Sequence, residues 1–550
     1  MRTAGALYLL ALAVRAFLVV TFPDAAYPDS AYYVDVGREI AAGHGLTVPF
    51  IWIFAEVGNA IPANPTLPIP SNAHWLPLAS FLQAPFIALF GPSAFASDIP
   101  MALIGSLAAP LTWAIAKDAK ARPVVATAAG VLSAIPGAGT VFLAQPENFA
   151  ILHPLVAATL WCAARGLKGD GRAFVIAGFL AGLASLARND GVLLAGAMGV
   201  VWLLDRVRWR RRRTGSGGWA RVDDRRPISW VAAAGFVVAF VLVMGPWWLR
   251  QLATFGSISP TSSSGAALWI LNISEWNSIT AHPTLERFLA QGPEAILASR
   301  LDGLVSAIGN FIVVITSIVL LPFLLLGMLG RRGSPDFHPW FVYTVVVFAG
   351  ATFIYPLHVP GGAFIHSAIG LAPHAAILSL EGVLLLVGAL AARRRAWQED
   401  AAGSVFVWGI VAITIATAVV FGRQTQAGWA SLRTPRVELA AQLDDLGVDP
   451  NDRLLTIDAA GWNYWTGRPG VVTPDDPIET IEAVARAYDT RWLILEREDA
   501  ARALAGVLTD DDRPPWIGPA AYSIPAEDGG TPRLALYPVC TAPGDTRCDE

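Results

Sequence analysis

Apolar residues fall in long runs separated by short polar or basic stretches, at about 4–22, 98–117, 123–142, 149–165, 173–187, 191–205, 228–249, 303–330, 338–356, 367–391 and 403–421. Most approach the ~20 residues that a helix needs to cross a bilayer. The pattern predicts a mainly α, polytopic membrane protein with about eleven transmembrane helices. The first run carries Arg15 in its interior and lacks a small-x-small cleavage site, so it reads as a retained span rather than a signal peptide. Arg15 at that depth must snorkel, pair or face a polar cavity.

Basic residues occupy every second loop: Lys117, Lys120 and Arg122; Arg165, Lys168 and Arg172; the run Arg206 to Arg213; Arg331 and Arg332; and Arg393 to Arg395. The positive-inside rule places these loops and the N-terminus in the cytoplasm. The stretches 23–97, 143–148, 188–190, 250–302, 357–366 and everything after 421 then face out. The apolar segment His74 to Phe90 contains Pro77 and Pro85. Counting it as a span would invert every later segment, so it is expected to lie at the outer surface.

From about 430 the pattern changes. Helical periods over Val437–Leu446 and Ile478–Tyr488 alternate with period-two runs at Arg453–Asp458, Arg491–Glu496 and Arg533–Val539. The expected organisation is a membrane domain over 1–425, with outer-face loop and interfacial helices at 23–97, and a small extracytoplasmic α/β domain over 430–550.

Composition agrees with the pattern. The chain of 550 residues is 54% hydrophobic and 15% charged, with a mean hydropathy of +0.50; soluble domains average about 25% charged residues. No nucleotide-binding Gly-rich loop or zinc-type Cys/His spacing is present. The arginines at 210–213 suit orientation or lipid headgroups, not nucleic acid. Cys540 and Cys548 could pair in an oxidising compartment, or stand as two unrelated thiols.

The outward polar residues are few enough to weigh singly. Asp29 opens an apparent helix over Asp29–Ala42, with Tyr33, Val36 and Ile40 on one face. It is either an N-cap or a carboxylate that takes a proton from a substrate hydroxyl. Glu147 stands in a short loop between two apolar runs, on the same inferred side. Arg188, Asn189 and Asp190 form a polar turn suited to phosphate or carboxylate binding, or a plain helix–helix connection. His358 and His366 lie in or beside an outer loop, and His74 with Trp75 opens the surface helix. The spacing of eight between His358 and His366 does not put them on one helical face, so no metal site follows; a divalent cation stays open.

In order, the acidic outer segment PDSAYYVDVGREIAAGHGL, the segment HWLPLASFLQAPFIALFG, Glu147 before the fourth span, and LARNDG resemble the integral-membrane glycosyltransferases of the GT-C fold. The group is glycosyltransferase family 39, with the protein O-mannosyltransferases and aminoarabinose transferases. GWNYWTGRPGVVTPDD and RWLILE resemble the soluble domain that some of them append. The chain departs from the group in Ser30, Leu76-Pro77 and Glu147, where relatives carry a second acid, Pro-Pro and Asp. The resemblance implies inverting transfer of a sugar from a polyprenyl-phosphate donor to an acceptor hydroxyl of a protein, lipid or glycan, on the outer face of the cell membrane. Asp29 would be the general base and Glu147 its partner. Tyr33, His74, Arg188, Asp190, His358 and His366 would line the substrate site, with no certain cofactor and a divalent metal left open. A flippase for lipid-linked saccharides is the rival class, but transporters place charged sites near the bilayer midplane.

Overall fold

The computed structural model describes residues 2–52, 60–214, 227–260, 267–354, 363–393, 398–498, 500–509, 513–526, 529–542 and 544–548. Among these, seven helices are each long and apolar enough to cross a membrane: Arg2–Thr21, Ala94–Asp118, Phe149–Leu167, Trp230–Phe255, Gly292–Ile315, Phe364–Ala391 and Glu399–Gln442. A pair bent by 52°, Pro123–Ala134 and Gly137–Ala144, makes an eighth. The apolar runs from 173 and 338 also form helices, Gly171–Ala187 and His338–Ile354, which are shorter than a straight span. Length and apolarity alone therefore do not reach eleven.

One expected span is two helices. The run 303–330 breaks between Gly292–Ile315 and Leu321–Arg331, where Ser317 and Ile318 adopt φ of 47° and 62°. This break packs on the bend of the eighth span. Ser317 Oγ donates to the Pro136 carbonyl at 3.1 Å, and Gly137 (φ 81°) lies so close that a Cβ there would sit 1.6 Å from Ser317 Oγ. A bend leaves backbone groups unpaired in an apolar setting, and the Ser317 hydroxyl supplies a donor to the Pro136 carbonyl there. Hydropathy cannot register such a contact, because both segments remain apolar.

Arg15 does not snorkel. It is 1% exposed, and its Nη1 donates to the Ala11 carbonyl one turn back. The segment expected to lie at the surface forms the helix Leu78–Phe90, packed on the outer helix Pro28–Ala41.

Basic turns gather at one end of the bundle. Lys168 pairs with Asp118 and Asp336, Arg122 with Glu399 and Asp400, and Arg331 with Glu381. Glu147 and Lys168 flank opposite ends of the 19-residue helix Phe149–Leu167, which at 1.5 Å per residue separates them by about 28 Å.

The helix Glu399–Gln442 runs 44 residues without interruption, through the point where the composition changes, and delivers the chain to a six-stranded sheet. The strand order is Phe50–Ile51, Gly470–Val472, Arg453–Thr456, Thr490–Glu496, Leu534–Pro538 and Tyr522–Ile524. The first member comes from the outer loop, more than 400 residues before its partner, and pairs in parallel with Gly470 and Val471. Two residues of Phe-Ile carry too little pattern to be read as a strand beforehand. Most of the segment that follows Asp458 packs into the domain core. Asp458 caps the helix Ala459–Thr466 and pairs with Arg436; Trp462 is fully buried and donates to Glu496. Cys540 and Cys548 are disulfide-bonded.

Gly137→Ala is expected to destabilise the protein by about 2 kcal/mol or more, because the new methyl overlaps Ser317 and the left-handed backbone disfavours it. Thermal unfolding in detergent should show a clear fall in Tm, which Ser317→Gly in the same chain partly restores.

Candidate active site

The outer helix Pro28–Ala41 starts with Tyr27 as its N-cap and Pro28 at its first position. Proline suits that place because its missing N–H has no partner there anyway. Ser30 and Tyr27 close the cap reciprocally: Ser30 Oγ donates to the Tyr27 carbonyl at 2.8 Å and accepts from the Tyr27 N–H at 3.2 Å. Asp29 is thus not the cap. Its side chain is free to point away from the helix end.

Its two oxygens have different surroundings. Oδ1 accepts the Trp75 indole N–H at 3.0 Å. Oδ2 stands 4.0 Å from Arg188 Nη1 and 4.0 Å from His366 Nε2. The carboxylate is 30% exposed, so it is anchored on one side and accessible on the other. Trp75 is itself held by stacking on Tyr32 (ring centroids 4.4 Å) and Trp52 (4.3 Å).

Glu147 is fully buried. Tyr27 donates its hydroxyl to Glu147 Oε1 at 3.0 Å, and Oε2 faces His366 Nδ1 at 3.8 Å. Burial, and secondarily the nearby Asp29 charge, push the Glu147 carboxyl up to about 8. Glu147 therefore keeps its proton at neutral pH.

Arg188 follows the last turn of Gly171–Ala187 and turns outward because its backbone is extended there. Asp190 Oδ1 pairs with Arg188 Nε at 3.1 Å, and Ser367 donates to Asp190 Oδ2. Asp190 thereby holds the guanidinium beside Asp29. His366 stacks on Phe149, centroids 4.0 Å apart and rings 8° from parallel. His74 packs edge-on against Trp75 and Trp276, and its carbonyl accepts from Asn189 at 2.6 Å. Burial and the Arg188 charge lower its pKa to about 4, so it stays neutral. Tyr33 lies behind the site, 1% exposed, its hydroxyl accepting from Asn148 at 2.5 Å. His358 lies outside the described residues.

The fold thus brings Asp29, Glu147, Arg188, Asp190 and His366 together from four separate stretches, with His74 beside them. Asn189 and Trp75 were named in the sequence beside Arg188 and His74, whereas Tyr27, Asn148 and Ser367 were not, and nothing local marks them. Ligand atoms of Asp29, Glu147 and His366 all lie within 4.8 Å of one another. Glu147 Oε2 and His366 Nδ1 have no hydrogen-bond partner. Two carboxylates and an imidazole at that spacing fit a divalent cation.

Residues 71–247 match the family model described as dolichyl-phosphate-mannose-protein mannosyltransferase. The structure of ArnT from Cupriavidus metallidurans bound to undecaprenyl phosphate superimposes with a TM-score of 0.53 at 14% identity, covering 98% of this chain and 97% of that one. The oligosaccharyltransferase AglB from Archaeoglobus fulgidus, in complex with an inhibitory peptide and a dolichol-phosphate, gives 0.53 at 13% identity, covering 98% and 74%. No curated protein matches the chain in sequence.

This chain is a GT-C-fold membrane protein. The family model and these structures belong to glycosyltransferases. The GT-C match over 71–247 includes Glu147 and the Arg188–Asp190 turn, but begins after Asp29.

Two outcomes check the geometry. Trp75→Phe keeps the ring but removes the donor to Asp29; the loss of a hydrogen bond to a charged group is worth about 1.5–3 kcal/mol, and turnover should fall roughly tenfold or more. Raising the pH through about 8 ionises Glu147 beside Asp29. The rate should decline on that alkaline side, and Glu147→Gln should abolish the decline. The folded protein binds this proton where the unfolded chain, with an ordinary carboxyl, has released it, so stability also falls as pH rises toward 8.

Proposed function

We propose that the protein transfers a sugar from a polyprenyl-phosphate donor to an acceptor hydroxyl, with inversion, on the outer face of the cell membrane. The observation that carries this reading is the Asp29 carboxylate, anchored by Trp75 on one oxygen and open on the other, with Arg188 beside it. Asp29 Oδ2 takes the proton of the acceptor hydroxyl. The acceptor oxygen forms its bond to the anomeric carbon as the bond from that carbon to the phosphate oxygen breaks. Polyprenyl phosphate leaves with the electron pair, and its charge is met by Arg188, whose fork suits a phosphate. Protonated Glu147 keeps a second negative charge away from the base, and His366 spans the gap between the two carboxyls.

ArnT and AglB have structures containing a polyprenyl or dolichol phosphate, which supports a lipid-phosphate donor here. The acceptor class is open among protein, lipid and glycan. The basic turns gathered at the end opposite Glu147 support an outward site, with the N-terminus cytoplasmic. The Cys540–Cys548 bond supports an extracytoplasmic place for the C-terminal domain.

A second reading concerns a metal. Asp29, Glu147 and His366 would hold a divalent cation, which would add positive charge beside the leaving phosphate. Exhaustive chelation that abolishes turnover, with restoration by Mg²⁺ or Mn²⁺, would support it; turnover unchanged by chelation would remove it.

The main test uses purified protein in liposomes, radiolabelled undecaprenyl-phosphate monosaccharides, and membranes from cells lacking the protein as the acceptor source. Wild type should cleave the sugar–phosphate bond. Asp29→Asn should slow cleavage by about 10²–10⁴, and Arg188→Lys should slow it less. Label that crosses the bilayer uncleaved would instead identify a flippase, and near wild-type transfer by Asp29→Asn would end the general-base assignment.

A further inference from the structure

The C-terminal domain grips the site from two sides. On one side, Arg38 of the outer helix donates to the Tyr464 carbonyl at 3.1 Å and to Asp35 at 3.0 Å, while Phe50 and Ile51 extend the domain's sheet. On the other, a single buried carboxylate, Asp476, gathers the loop that follows Trp276. Ser278 Oγ donates to its Oδ1 at 2.6 Å, the Ile279 N–H to its Oδ2 at 2.7 Å, and the Thr280 N–H to Oδ1 at 3.3 Å; the Thr280 hydroxyl donates to Oδ1 as well. The preceding Asp475 N–H donates to the Asn277 carbonyl at 2.9 Å.

A carboxylate that accepts this many bonds from three consecutive residues fixes their backbone. That loop starts at Trp276, whose ring packs edge-on against His74 at 5.5 Å. His74 adjoins Trp75, the donor to Asp29. Asp476 and Asp29 are joined by this chain of contacts and by no direct one.

We infer that Asp476 is a positioning residue for sugar transfer: by fixing the 276–281 loop it sets Trp276 against His74 and so holds the Trp75–Asp29 hydrogen bond in register. The C-terminal domain is then part of the catalytic geometry rather than an appendage. Asp476→Asn replaces one carboxylate oxygen by an amide NH2 that cannot accept, so in either orientation it loses bonds from the loop while keeping the side chain's volume.

This inference rests on the reading of Asp29 as the base, and its test separates the two. Full-length variants in liposomes are assayed with the undecaprenyl-phosphate monosaccharide that wild type cleaves. Asp476→Asn should lower kcat about tenfold per folded molecule, leave the donor KM within twofold, and leave Tm within a few degrees. Combined with Trp276→Ala it should be no slower than Trp276→Ala alone, because both act through one contact. Ser278→Ala with Thr280→Val removes the two hydroxyl bonds from the loop side, leaving the backbone ones, and should lower kcat in the same direction. That variant decides the matter where Asp476→Asn does not fold. An unchanged kcat in the variants that fold, or multiplicative effects of Asp476→Asn and Trp276→Ala, overturns the proposal. Full-rate Asp476→Asn beside inactive Asp29→Asn overturns this inference alone, whereas active Asp29→Asn overturns the reading beneath it.

Discussion

Two carboxyls in one partly enclosed pocket cannot both be ionised cheaply, and the site is built around that constraint. Glu147 is sealed from water and has no cation in direct contact, so it keeps its proton into the mildly alkaline range. Asp29 faces an opening, and Trp75 and Arg188 surround it with a donor and a positive charge. Their different surroundings separate the roles of two chemically similar groups. Nearly every other contact at the site serves that separation: Tyr27 holds Glu147, Asp190 aims Arg188, and Phe149 fixes the plane of His366.

The membrane bundle makes the pocket possible through its irregularities. Straight apolar helices would bury no backbone polar group and leave no room for a loop at their outer ends. Here the bend at Pro136–Gly137 and the break at Ser317–Ile318 meet inside the bundle, and Ser317 Oγ donates to the Pro136 carbonyl. The bent segment ends at Ala144, and the short stretch before Phe149 drops Glu147 into the interior rather than into solvent. The C-terminal domain completes the arrangement, since its sheet and its Asp476 loop contact take hold of segments on both sides of the site.

Membrane character and the alternation of basic loops were legible in the chain because they depend on local composition and on order along it. The strands Arg453–Thr456, Thr490–Glu496 and Leu534–Pro538 were legible for the same reason: each buries residues with a regular local period. Two readings changed. The run 303–330 is two helices, broken at Ser317–Ile318, where Ser317 Oγ meets the Pro136 carbonyl 181 residues away. Asp29 is not a cap, because Pro28 takes the first helical position and Tyr27 the cap. The partners of Asp190 (Ser367 and Arg188) and of Tyr33 (Asn148) were not legible, because they come from other elements.

The sequence by itself determined what each segment is made of: which runs must leave water, which loops carry positive charge, and which few outer residues can do proton chemistry. Only the tertiary structure decided how Asp29 works. Trp75 lies 46 residues away and Arg188 a further 113 beyond it, and nothing local to either announces a contact with that carboxylate. Hydrophobicity and charge act through composition and are readable along a chain. A hydrogen bond to one oxygen of a carboxylate needs sub-ångström placement by distant elements, and that exists only once the whole chain has packed.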